Sequence, residues 1–230
     1  GDVYKRQKLG WSDIVLLEQG QVSCGTTWHA AGLVAQLRAT QSQTNLAKYT
    51  IDLYRDLEAE TGQATGYRQT GSISLARTAA REEELKRQAA MAAAFGVEIH
   101  RISFNEVAEK APMLRTDDLV AAYWMPGDGT TNPTDTSQAL AKGARSNGAT
   151  IAEGVKVTQV QTNNGAVTGV VTDQGEITAD YVVLCGGMWT RDLARPLGVA
   201  VPLHAASLLY TSDAADERSS VDHGGRRIIK

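Results

Sequence analysis

The sequence predicts an α/β fold, a Rossmann-like nucleotide-binding sheet interrupted by a mixed α+β insertion. Two apolar runs far apart in the chain, Ile14-Val15-Leu16-Leu17 and Tyr181-Val182-Val183-Leu184-Cys185, have the unbroken hydrophobicity of buried parallel strands. Segments of helical period and segments of alternating polarity lie between them. The first run ends in Glu18 and leads into the small-residue loop Ser23-Cys24-Gly25-Thr26-Thr27-Trp28-His29-Ala30-Ala31-Gly32-Leu33. In dinucleotide-binding folds an acid at the end of the second strand accepts hydrogen bonds from ribose hydroxyls. Small residues after it let the backbone approach a ligand closely.

The elements follow in order. Leu46, Thr50, Leu53 and Leu57 recur at helical spacing, flanked by Tyr49 and Tyr54, and Gly62 closes that helix. Alternation over Ser72-Ile73-Ser74-Leu75 predicts a half-buried strand. Thr78 caps a helix running through Phe95, with Leu85, Ala89, Ala92 and Phe95 inward and Gly96 beyond its end. Residues 97–102 alternate again, and so, less cleanly, do residues 120–124. Pro126-Gly127-Asp128-Gly129 is turn chemistry. Thr134 or Asp135 starts a third helix, stopped at Asn147-Gly148. Two alternating strands, 155–160 and 167–171, join through Asn163-Asn164-Gly165, a hairpin signal. Asp173-Gln174-Gly175 makes the next turn, and the run Tyr181–Cys185 opens into Gly186-Gly187. No internal repeat or low-complexity tract appears. The mixed insertion spans about 63 to 130.

Composition narrows the partners. A length of 230 residues allows one large or two small domains, and a hydrophobic share of 42% is enough to bury a core. A net charge of −3 gives no reason to expect nucleic acid or an anionic membrane as a partner. The longest mixed charge run, Arg81 to Arg87, reads as a solvated helix face. No stretch approaches the ~20 apolar residues of a membrane span. Cys24 and Cys185 lie far apart and form neither a CxxC nor a zinc pattern, so a reducing, cytoplasmic setting is the default.

Glu18 with the segment Gly25-Thr26-Thr27-Trp28-His29-Ala30-Ala31-Gly32-Leu33 resembles the flavin-dependent oxidoreductases of the dimethylglycine and sarcosine dehydrogenase group, in the D-amino-acid-oxidase superfamily. Further matches are residues 57–63, Gln69-Thr70-Gly71-Ser72-Ile73, Pro126-Gly127-Asp128-Gly129 and Cys185-Gly186-Gly187-Met188-Trp189. They run in family order from about Lys8 to about Ala206. Leu9-Gly10-Trp11 resembles the end of the first family helix, stopped by Gly10.

The resemblance implies a discontinuous FAD/NAD(P)-binding Rossmann-like domain at 8–62 and 131–206, with a substrate domain inserted at 63–130. It implies FAD, carried covalently on His29 through the flavin 8α-methyl carbon. A neutral imidazole nitrogen is a competent nucleophile for that bond. Cys24 competes in principle, but the family pattern favours the histidine. Glu18 becomes the ribose acceptor, where a lone strand-terminal Glu would otherwise be a surface acid. Gln19, Gly25, Thr26, Thr27 and Leu33 would run along the flavin and pyrophosphate, and otherwise form an ordinary loop. Val157 would meet the adenine through its backbone, and Gly186 and Gly187 would let the chain pass close to the dinucleotide. Trp189 reads as packing.

No catalytic residue is assigned and no metal site is expected. The family's histidine-tyrosine pair lies just beyond the segment matching residues 201–206, where this chain has Ser207-Leu208-Leu209-Tyr210. Tyr210 aligns without its histidine, and His204 is off the motif. Residues 1–7 and the tail from about Leu208 to Lys230 resemble translated sequencing-adapter read-through. The glycine-rich phosphate turn expected ~20 residues before Glu18 is replaced by residues 1–7. The expectation is therefore a piece truncated at both ends, which as it stands neither holds FAD tightly nor turns over substrate.

For the parent, the resemblance implies hydride transfer from the N-methyl carbon of a secondary or tertiary amino acid, of the dimethylglycine or sarcosine type, to flavin. The resulting imine hydrolyses or passes its one-carbon unit to folate in a further C-terminal domain. The electrons pass to oxygen or to an electron-transfer protein. The alternatives are a glycine oxidase or glycerol-3-phosphate dehydrogenase type of activity, or a non-catalytic flavoprotein-like binding domain.

Overall fold

The computed structural model describes residues 1–203. His204, Tyr210 and the tail from Leu208 lie outside the described residues. The chain divides into two compact units, Gly1–Gly154 and Val155 onward.

The first unit begins with α1 (Asp2–Lys8), followed by β1 (Val15–Glu18), β2 (Leu33–Val34) and α2 (Gln41–Thr61). Next come β3 (Ser72–Ala76), α3 (Ala79–Ala94), β4 (His100–Ile102), α4 (Phe104–Lys110), β5 (Ala121–Met125) and β6 (Gly129–Thr130). It ends with α5 (Pro133–Ser146) and β7 (Thr150–Glu153). Of residues 1–7, set apart in the sequence as a foreign end, all but Gly1 are helical, and Val3 and Tyr4 are buried with Leu57, Ala139 and Ala144 in one core cluster. β1 and β7 pair in parallel, Val15 opposite Thr150 through Glu18 opposite Glu153. Their Leu16 and Ile151 pack into the core formed with α1, α2 and α5.

β1 is correctly placed as a parallel strand but is not fully buried, since Val15 is 46% exposed. Its single described ladder neighbour, β7, accounts for this. The cap signals of α2 are met: Thr40 accepts from the Gln43 amide, and Gly62 takes the left-handed conformation at φ 62°. The buried face differs from the predicted stripe. Thr44, Ile51 and Leu57 are buried, whereas Leu46 is largely exposed.

Within the first unit β3, β5 and β4 form a three-stranded antiparallel sheet in that order, with Ser72 opposite Met125 and His100 opposite Trp124. α3 packs Leu85 against Ala76, Ala121 and Tyr123 of it and also buries Ala92, and Thr78 caps the helix as expected. α4 has no counterpart in the sequence reading. It is a seven-residue helix opened by a capping box between Ser103 and Glu106, and it seats Val107 against Ile102 and Ala122. α5 begins one residue before the expected start. Asn132 is the cap, accepting from the Thr134 and Asp135 amides, and Pro133 takes the first helical position.

The second unit is a meander of β8 (Val157–Asn163), β9 (Ala166–Thr172) and β10 (Gly175–Thr178), in the order β10-β9-β8. The hairpin signal is realised: Asn164 and Gly165 have φ of 51° and 81°, as a two-residue turn between twisted strands demands. β8 bulges at Val157/Gln159 and Gln161/Thr162. A short helix α6 (Thr190–Ala194) follows. The run Tyr181–Cys185 corrects an expectation. It is not a strand, and Tyr181 is 73% exposed. An apolar run becomes a buried strand only where a ladder accepts its backbone, and none does so among the described residues. Among those residues no helix is long and apolar enough to cross a membrane.

Candidate functional site

β1 ends at Glu18, whose carboxylate is half-buried and accepts from the Gly20 amide at 2.9 Å. Gln19 is exposed beside it. The chain turns through Gly25 and Thr26 into a short 3-10 helix, Thr27–His29. His29 is exposed, and its ring lies 3.7 Å, centroid to centroid, from the indole of Trp28. Cys24 and Cys185 are free thiols, both exposed. Cys24 Sγ accepts from the Gln21 amide at 3.3 Å, so it serves the loop's own turn.

Immediately after His29 the chain enters a cleft of about 530 Å³. Two residues singled out in the sequence, Thr27 and Leu33, line it. One wall is a stripe of α2, Gln43, Leu46, Ala47, Thr50 and Tyr54, and another is the start of α5. The floor is tight. Gly32 has φ 73°, and a Cβ there would lie 2.2 Å from the Thr131 carbonyl oxygen. Only glycine lets β2 run this close to the segment entering α5, which is the backbone approach the small-residue loop predicts. Leu33 and Leu46 are 77% and 65% exposed. Large apolar side chains left in solvent on facing walls of a cleft mark a surface shaped for an apolar ligand. Burial raises the Tyr54 hydroxyl above its ordinary pKa, which keeps it a neutral donor. Among the described residues Arg38 is the one charged residue on the lining. Its amide donates to Oγ1 of the fully buried Thr44 at 3.1 Å.

Glu153, Gln138 and Arg38 escaped the sequence reading, and Asp128 entered it only as part of a turn. Glu153 ends β7 as the ladder partner of Glu18, and accepts from the Val22 amide at 2.7 Å. Its signal was available, since Ile151-Ala152-Glu153-Gly154 repeats the apolar-acid-glycine pattern seen at Glu18. Gln138 reaches from α5 to the Val22 carbonyl oxygen at 3.3 Å. Asp128 is 1% exposed; Oδ1 accepts from the Gln36 amide at 2.8 Å and Oδ2 from the Ser72 hydroxyl at 2.6 Å. It therefore ties the segment after β2 to β3. Arg38 carries no local motif.

Val157, Gly186 and Gly187 fall in the second unit. Val157 is half-buried at the start of the outer strand β8. Gly186 caps and Gly187 opens a 3-10 turn ending at Trp189, which is exposed. Among the described residues no three His, Cys, Asp or Glu side chains cluster as a metal site.

The family profile described as FAD dependent oxidoreductase, DAO, matches residues 4–226. The chain is 41% identical to the pyruvate dehydrogenase phosphatase regulatory subunit, mitochondrial, of Mus musculus, over 99% of this chain and 27% of that protein. It is 39% identical to human (Homo sapiens) sarcosine dehydrogenase, mitochondrial, over 90% of this chain and 23% of that protein. It therefore spans about a quarter of the length of these relatives. Among solved structures, glycine oxidase from Bacillus cereus superposes with a TM-score of 0.74 at 25% identity, covering 84% of this chain and 54% of that one. The α/β architecture is thus that of the FAD-binding oxidoreductases.

Proposed function

The chain belongs to the FAD dependent oxidoreductase (DAO) family, and from that premise we propose that the whole protein oxidises the N-methyl group of a secondary or tertiary amino acid, of the sarcosine or dimethylglycine kind. The observation that carries the reading is the cleft opening directly after His29, with Thr27 and Leu33 on its lining and backbone-close packing at Gly32. A volume of about 530 Å³ lies within the range of cofactor and small-molecule sites, and its apolar walls with hydroxyls from Thr27, Thr50 and Tyr54 suit a flat, hydrogen-bonding ring system. These residues fit FAD.

When bound, FAD supplies acceptance of the hydride that the N-methyl carbon gives up, and the imine left behind hydrolyses to formaldehyde and the demethylated amine. The protein's part is placement. Glu18 would accept from the ribose hydroxyls through Oε2, while Oε1 keeps the Gly20 amide. His29, exposed at the cleft entrance, is the attachment point, and Gly25 and Thr26 give the loop its close approach. Arg38 offers the counter-charge for the substrate carboxylate.

A second reading is favoured by one observation: the relative at 41% identity is named a regulatory subunit, which fits a flavoprotein-like domain without turnover. The two are separated by anaerobic titration of the whole protein with sarcosine and dimethylglycine. Bleaching of the flavin absorbance is expected for the enzyme. An unchanged spectrum with both substrates overturns it in favour of the silent domain.

A further inference from the structure

Between β1 and His29 the connection Gln19–Cys24 places no side chain in the hydrophobic core. Its shape therefore rests on hydrogen bonds and backbone conformation. Gln21 to Cys24 forms a β-turn, closed by the Cys24 amide donating to the Gln21 carbonyl at 3.0 Å. Ser23, the third residue of that turn, has φ 77°. Glycine or asparagine normally occupies such a position, and another residue persists there only where the surroundings over-determine it.

Two other elements supply that constraint. Glu153, at the end of β7, accepts from the Val22 amide at 2.7 Å. Gln138 of α5 donates to the Val22 carbonyl at 3.3 Å. Beside them the Gly154 amide donates to the Gly20 carbonyl at 2.9 Å. Val22 is thus held through both its N–H and its C=O, one residue before the strained serine. Because Glu153 is also the ladder partner of Glu18, the clamp sets the loop against the end of β1 rather than against a mobile neighbour.

We propose that Glu153, assisted by Gln138, is the positioning residue of the flavin-attachment loop. It fixes Val22, holds Ser23 in its left-handed turn, and so sets His29 relative to Glu18. The inference rests on the reading of His29 as the attachment point.

The test uses the whole protein prepared without flavin, and measures the rate at which added FAD becomes acid-stable on the polypeptide. Glu153→Ala is expected to slow incorporation about ten-fold or more, as loss of a charge-assisted bond implies, with an unchanged melting temperature. Glu153→Gln keeps an acceptor oxygen and is expected to stay within about three-fold of wild type. Adding Ser23→Gly to Glu153→Ala is expected to recover part of the rate, because glycine tolerates the turn without the clamp. Wild-type incorporation by Glu153→Ala, or equal losses in the Ala and Gln variants, would overturn the inference. If the wild type binds FAD without a covalent link, the His29 reading fails on its own. The same variants are then compared by FAD dissociation constant. A weakening confined to Glu153→Ala supports the clamp, and equal constants overturn it.

Discussion

The loop from Gln19 to His29 and the corner around Asp128 are both shaped by carboxylates accepting backbone amides, and they differ in where those bonds lie. At the loop, Glu18 and Glu153 take the Gly20 and Val22 amides near solvent. At the corner, Asp128 takes the Gln36 amide and the Ser72 hydroxyl inside the protein, and its own carbonyl accepts from the Gly71 amide at 2.8 Å. Water competes most freely at the exposed Glu153 bond, whereas the Asp128 side chain is 1% exposed and its bonds lie largely away from solvent. An exposed bond sets a preferred conformation at little cost to opening, whereas a buried one makes its region open only with the fold.

The sharpest way to break the comparison is Asp128→Ala. It removes two charge-assisted bonds and strands their donors, so the loss is about 3–6 kcal/mol at roughly 1.5–3 for each bond. Asp128→Asn keeps the acceptor for Gln36 and leaves the serine hydroxyl able to turn, at a cost of about 1 kcal/mol. Urea midpoints of the whole protein measure both. A loss below about 1 kcal/mol for the alanine variant would mean that water replaces the carboxylate and the corner is no different from the loop.

Glu18→Ala tests the other side. Stability should change by no more than about 0.5 kcal/mol, while non-covalent FAD affinity, read in a His29→Ala background, falls about ten- to a hundred-fold. Parallel falls in stability and affinity would show Glu18 to be structural. Arg38→Met is the milder probe of the cleft. A counter-charge for the substrate carboxylate acts equally in ground and transition states, so KM should rise about ten-fold with kcat within two-fold. A drop in kcat at unchanged KM would place Arg38 elsewhere in the reaction.

What the sequence reveals follows the range of the interactions. Thr78 and Gly96 around α3, Gly62 after α2 and Asn164-Gly165 in the hairpin are legible because each acts on its own few residues. α4 buries only Val107, so periodicity is silent and the Ser103/Glu106 pair is its one sign. In α2 the helix is legible but not its orientation, since an apolar stripe facing the cleft at Leu46 and Thr50 resembles one facing the core at Ile51 and Leu57. Tyr181–Cys185 has the apolarity of a buried strand without the partner that would make it one. In the site, Thr27, Gly32, Leu33 and Glu18 follow from a contiguous motif. Glu153, Gln138 and Asp128 do not, because their partners stand 131, 116, 92 and 56 residues away.

The smallest expected effect lies at the helix that opens the chain. Glu60 on α2 receives the ammonium of Lys8 at 2.6 Å and the hydroxyl of the buried Tyr4. Bonding to Lys8 first, and to Tyr4 second, holds the Glu60 carboxyl below its ordinary value of 4.5. The same bond holds the Lys8 ammonium above 10.5. A carboxyl with a depressed folded pKa stabilises the protein above its unfolded pKa, and that contribution disappears as pH falls through the folded value. The acid side therefore loses this stability below about pH 4.5, and the alkaline side loses the Lys8 contribution above about 10.5. Both side chains are partly exposed, so the pair belongs with ordinary surface pairs at about 0.2–1 kcal/mol. Glu60→Gln should flatten the acid limb of melting temperature against pH while leaving FAD binding unchanged. A Glu60→Gln profile that still falls as steeply between pH 5 and 3 as the wild type would assign acid sensitivity to other carboxylates, and α1 would then be held by Val3 and Tyr4 packing and by the Gln7 bonds to the Ala144 and Asn147 carbonyls.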